Sequence, residues 1–91
     1  MFEIRVRLFA NLKEAVGRPA LTLVFDHPPT PYEIIKDLIS KAPGLEKYLL
    51  KHGEFNDRYR ILKDSEEIPR DKFTEPIHSK EISILPPVSG G

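Results

Sequence analysis

From Phe2 to Leu8 the chain alternates, with apolar Phe2, Ile4, Val6 and Leu8 separated by Glu3, Arg5 and Arg7. A period of two puts the apolar set on one face of a β-strand and the charged set on the other. Residues 11–16 are too few to hold a helix free in water, so they predict one or two packed turns ended by Gly17. The apolar run Ala20–Phe25 predicts a second strand, closed by Asp26-His27-Pro28-Pro29, where the prolines have no N–H for a ladder. A helical period then takes over. Thr30-Pro31-Tyr32-Glu33 supplies a capping hydroxyl, a proline at the first helical position and a glutamate that reaches back to the cap. Ile34, Ile35, Leu38, Ile39 and Ala42 form one stripe and Pro43-Gly44 stops it, which makes this the main helix, packed on a sheet.

Beyond it the signals shorten. Residues 45–50 add a short turn, 59–63 predict a third strand, Asp64-Ser65-Glu66-Glu67 a polar turn, Ile68-Pro69 a short edge piece, and 80–85 the last strand. The order strand, strand, helix, strand, edge strand, strand is that of an α+β domain. Terminal strands in such a domain can pair in parallel mid-sheet, a pairing that periodicity alone leaves open. Residues 1–85 read as the domain, and 86–91 as a flexible tail.

Composition narrows the function classes. At 91 residues there is room for one domain with a modest core. Fourteen basic and fourteen acidic side chains cancel, so no global field draws the chain to nucleic acid or an anionic membrane, and neither is an expected partner. The alternating start is unlike a signal peptide and no stretch approaches membrane-spanning length, so the expected location is cytoplasmic. Without cysteine there is no disulfide, no thiolate metal site and no side chain to carry a persulfide. His27, His52 and His78 lack partners at metal-ligand spacing and are expected to be solvated, with no metal bound. Asp64, Glu66 and Glu67 read as solvated turn charges, and the tyrosines and phenylalanines as core. No resident cofactor is expected.

Two segments carry a resemblance: Val6-Arg7-Leu8-Phe9-Ala10-Asn11-Leu12-Lys13-Glu14-Ala15-Val16-Gly17, and Leu85-Pro86-Pro87-Val88-Ser89-Gly90-Gly91. Both resemble the small subunit of molybdopterin synthase, the MoaD family within the MoaD/ThiS sulfur carriers. Ser89 stands where that family commonly has alanine, and residues 45–58 have no clear counterpart. The resemblance implies a β-grasp, ubiquitin-like fold with a mixed sheet of four to five strands on one main helix. It implies that an E1-like adenylating enzyme (MoeB type) consumes ATP to activate the Gly91 carboxylate. It also implies conversion to a thiocarboxylate whose sulfur passes to a pterin precursor in the large synthase subunit (MoaE type).

The tail suits that chemistry. A carboxylate is a poor acyl donor until it gains a better leaving group, and Gly90 and Gly91, lacking Cβ atoms, let the backbone enter a narrow active site. Pro86 and Pro87 fix φ, ending the last strand and projecting Val88 and Ser89 away from the sheet at a reduced entropy cost on capture. If Ile84 faces inward, Leu85 lies on the open face with Leu62, and Arg5, Arg7, Arg58 and Arg60 form a basic rim suited to an acidic partner. A modifier conjugated to lysines through Gly91, a carrier for thiazole synthesis or tRNA thiolation, and an interaction module with an unreactive C-terminus remain alternatives.

Overall fold

The computed structural model describes residues 1–87. In chain order its elements are β1 (Phe2–Leu8), α1 (Ala10–Val16), β2 (Ala20–Phe25), α2 (Pro31–Lys41), α3 (Glu46–Leu49), β3 (Leu50–Lys51), β4 (Glu54–Phe55), β5 (Arg60–Lys63), β6 (Glu66–Glu67) and β7 (Glu81–Leu85). Single 3₁₀ turns cover Pro43–Leu45 and Arg70–Lys72.

Alternation in the first strand holds residue by residue: Ile4, Val6 and Leu8 are buried while Glu3, Arg5 and Arg7 face water. Gly17 ends α1 at φ 81°, a left-handed conformation that costs glycine little, and its N–H donates to the Lys13 carbonyl at 2.8 Å. At the start of α2 the Glu33 N–H donates to Thr30 Oγ1 (3.1 Å) and the Thr30 N–H to Glu33 Oε1 (2.9 Å), so two helix-end donors are satisfied reciprocally. Ile34, Ile35 and Leu38 bury the inner stripe of α2, with Ile39 and Ala42 at its half-buried margin.

The sheet has the order β2-β1-β7-β5-β6. β1 and β7 pair in parallel at its centre, and the pairs β1–β2, β5–β7 and β5–β6 are antiparallel. One face carries Ile4, Val6, Leu8, Leu23, Ile61, Ile82 and Ile84 into the core beneath α2. This is the topology that the resemblance implies. Five strands also fall within the expected four to five.

Two local expectations are corrected. The polar turn is only Asp64-Ser65, both at positive φ (52° and 69°), and Glu66–Glu67 are the edge strand itself, two residues earlier than Ile68-Pro69. A two-residue hairpin loop needs left-handed backbone at both positions to match strand twist, and Asp-Ser is a weak form of that signal. Residues 45–58 hold more than a turn: a short helix, then a second small antiparallel sheet of β3 and β4, reversed at His52 (φ 56°) and Gly53 (φ 80°).

Candidate functional site

The chain leaves the sheet at the end of β7. Leu8 is in register with Ile84 on one side and Arg60 with Leu85 on the other, so Pro86 follows where both neighbouring ladders end. Having no N–H, Pro86 cannot extend either ladder. The register also sets Val6-Arg7-Leu8 beside Ile82-Ser83-Ile84, so β1 passes into α1 next to the end of β7. Asn11 Nδ2 donates to Tyr59 Oη at 2.7 Å, tying α1 to the start of β5 beside this exit. Pro86 and Pro87 are half-buried, and Val88, Ser89, Gly90 and Gly91 lie outside the described residues.

Ile82 and Ile84 are buried, so alternation turns Ser83 and Leu85 to the open face. Arg7 is paired with Ser83 from β1 and Leu62 with Ser83 from β5, which makes Leu62 and Leu85 diagonal neighbours across a small side chain. The serine leaves a depression of about 210 Å³ there, bordered by Arg7, Leu62, Leu85 and the Asp64-Ser65 turn. Both leucines are half-buried, a partly covered apolar pair where the tail begins.

The arginines only partly follow expectation. Arg5, Arg7 and Arg60 share this face, but Arg58 lies in the turn ahead of β5, outside the ladder, where its backbone N–H donates to Asn56 Oδ1 (3.1 Å). The expected basic rim is also mixed in sign. Arg5 pairs with Glu81 (3.5 Å), Arg60 with Glu67 (3.0 Å), and the Arg7 guanidinium lies 5.2 Å from the Phe9 ring centroid. Strand register places those glutamates, so residue spacing along the chain does not reveal them. Such exposed pairs are worth about 0–1 kcal/mol each, so an acidic partner can exchange them at small cost.

His27 is exposed, as expected of a solvated histidine, but it also sits between two carboxylates. Its Nδ1 meets the Asp26 carboxylate and its Nε2 lies 2.7 Å from Glu33 Oε2, which also serves the α2 cap. The hydrogen bond to Asp26, then the one to Glu33, raises the imidazole pKa above its ordinary 6.5. The Thr30 backbone N–H, then His27, holds the Glu33 carboxyl below its ordinary 4.5. The histidine's contribution to stability is therefore complete below about pH 6.5 and fades as pH rises through its raised pKa. The glutamate's is complete above about pH 4.5 and fades as pH falls through its lowered one. Thermal midpoints of wild type and His27→Gln should differ most between these limits and converge as pH rises through the raised imidazole pKa. A difference unchanged with pH would show that His27 does not act through its charge.

A central parallel pair of terminal strands, flanking antiparallel strands and one helix across a single face define the β-grasp class of ubiquitin-like proteins. Residues 6–91 match the ThiS family, and the chain belongs to it: a ubiquitin-like protein of the sulfur carrier and modifier group. The chain is 34% identical over 89 residues to the molybdopterin synthase sulfur carrier subunit of Arabidopsis thaliana, covering 98% of this chain and 83% of that one. It is 28% identical over 91 residues to small archaeal modifier protein 3 of Haloferax volcanii, covering 98% and 99%. The solution structure of small archaeal modifier protein 1 from Methanosarcina acetivorans superposes with a TM-score of 0.82 at 33% identity, over 100% of this chain and 98% of that one.

Proposed function

We propose that this chain is the sulfur-carrying, non-catalytic small subunit of a molybdopterin synthase. A partner adenylating enzyme joins the Gly91 carboxylate to AMP, releasing pyrophosphate. Sulfide from a donor then displaces AMP to leave a thiocarboxylate. In the large synthase subunit the thiocarboxylate sulfur bonds to a pterin precursor, and water then cleaves the acyl–sulfur bond, leaving the sulfur on the pterin and regenerating the Gly91 carboxylate.

The observation that carries this reading is the exit of β7. The strand is held between two neighbours, releases the chain through Pro86-Pro87, and does so beside the half-buried Leu62 and Leu85. A partner enzyme needs those two things, a fixed patch to grip and an extended end that reaches its active site. The named Arabidopsis relative supports the molybdopterin branch. In a synthase reconstituted from the large subunit, the thiocarboxylated chain and the pterin precursor, sulfur transfer supports the reading and its absence overturns it.

The likeness to archaeal modifier proteins favours one other reading, conjugation of Gly91 to lysines of target proteins. Peptide mass spectrometry of cells making the chain separates the two, because conjugation leaves a C-terminal remnant of the chain on target lysines, Glu81 to Gly91 after tryptic cleavage at Lys80. In either case Leu85 serves as a contact for the activating enzyme. Leu85→Lys places an ammonium in an apolar contact and should weaken that complex by about tenfold or more, near 1.4 kcal/mol, with the fold intact. Unchanged affinity in calorimetric titration would remove Leu85 from the interface.

A further inference from the structure

An apolar recess lies away from the tail. It is a groove of about 400 Å³ between α2 and the β3–β4 hairpin, on the helix-covered side of the sheet. Ile35 and Ile39 from α2 and Leu50 and Phe55 from the hairpin supply its apolar lining. Residues 45–58, for which the resemblance offers no clear counterpart, thus build one wall of it through Leu50, Gly53, Glu54 and Phe55.

The rim has a definite charge character. Arg70 lies among three rings, its Cζ 5.7 Å from the Tyr32 centroid, 5.8 Å from Phe55 and 5.7 Å from Phe73. Its Nε donates to Tyr32 Oη (3.1 Å) and its Nη1 to the Phe55 carbonyl (3.3 Å). A guanidinium carries five N–H donors, so donors remain for an incoming group. Lys36, one helical position from Ile35, is exposed at the same rim. Among the described residues neither cation forms an ion pair, unlike Arg5 and Arg60 on the open face. Glu54 is the acid on this rim, so two cations face one carboxylate.

We propose that this groove is a second docking site, and that its occupant is an acidic peptide segment of a partner protein with a bulky apolar anchor. The anchor fills the space between Ile39, Leu50 and Phe55, and flanking Asp or Glu side chains pair with Lys36 and Arg70. An apolar floor with Arg70 held in place, and with neither Arg70 nor Lys36 in an ion pair among the described residues, fits that occupant, because a bound carboxylate displaces no internal one. Arg70 is already oriented by its rings and hydrogen bonds, so little side-chain entropy is lost on binding. The groove lies opposite the Leu62–Leu85 face, so it stays open while an enzyme grips the tail. The chain can then hold a recruiting partner and a processing enzyme together.

The test is an amide chemical-shift titration of the full chain with an acetylated peptide whose Leu-Phe centre is flanked on each side by two acidic residues. Saturable shifts should fall on 32–39, 50–55 and Arg70. In Lys36→Glu, an exposed substitution whose unchanged spectrum elsewhere reports an intact fold, binding should weaken about fivefold, the factor an exposed ion pair supports. The same peptide with lysines in place of its acids should bind wild type more weakly and Lys36→Glu more tightly. Three results would overturn the proposal: no saturable shift at millimolar peptide, shifts centred on Arg7, Leu62 and Leu85, or equal binding of the two peptides.

Discussion

Deleting Gly91, or replacing Gly90 by Val, is expected to lower ATP–pyrophosphate exchange by the cognate activating enzyme by at least on the order of 100-fold, with the thermal midpoint of the domain unchanged. The size follows from geometry. The reacting carboxylate must lie in line with the α-phosphate of ATP, and a displacement of about 1 Å at a reacting centre costs roughly 100-fold. Deletion moves the carboxylate back by a residue. A valine instead adds a branched side chain where the backbone must pass through a narrow opening. Stability should not follow, because the described core residues run from Ile4 to Ile84 and Pro86 already ends the ladders. Exchange equal to wild type in both variants, with the activating enzyme active on a control carrier, would remove Gly91 from the chemistry.

The largest stability effect is expected two residues before the prolines. Ile84 is fully buried in β7, in register with Leu8 on one side and Ile61 on the other. Ile84→Ala leaves a cavity between two strands that hold the sheet centre together, and should cost about 2–5 kcal/mol. A domain of this size has about 5–15 kcal/mol in total, so the loss takes a large share and should lower the thermal midpoint by about 10 °C or more. Leu85→Ala, one residue on, should cost far less because Leu85 faces the open side and is only half-buried. Chemical denaturation of both variants checks the pair. Similar losses would mean that the alternation in β7 does not sort core from open face as described.

The contrast between Ile84 and Leu85 was legible in the sequence, and the reason is local. Alternation in Phe2–Leu8, the capping signature from Thr30 to Glu33 and the left-handed stop at Gly17 each depend on residues within a few positions of one another. What escaped depends on register or on unmarked turns. The pairing of Arg5 with Glu81 and of Arg60 with Glu67 turns an expected basic rim into a mixed one, and it arises only once strands lie side by side. The Asp64-Ser65 reversal takes positive φ at two non-glycine positions and the His52-Gly53 reversal at one, so neither turn carries the usual glycine or asparagine signal at its first position.

The candidate site divides in the same way. Leu62, Leu85, Pro86 and Pro87 could be placed by counting along strands. The Arg70 setting could not, because Tyr32, Phe55 and Phe73 come from three separate stretches of chain. Tyr32, expected in the core, is instead 42% exposed with its ring edge against Phe73. The His27 clamp had a faint local signal, a histidine beside Asp26 and three residues before a capped helix whose glutamate already points back towards it.

The central claim is that the Gly91 carboxylate is activated and loaded with sulfur. Intact-mass spectrometry tests it most directly, on the full chain incubated with its activating enzyme, ATP and a sulfide donor. A mass gain equal to one oxygen-to-sulfur exchange, placed on Gly91 by fragmentation and absent without ATP, is the predicted result. An unchanged mass, with the same enzyme loading a known carrier in parallel, would contradict it.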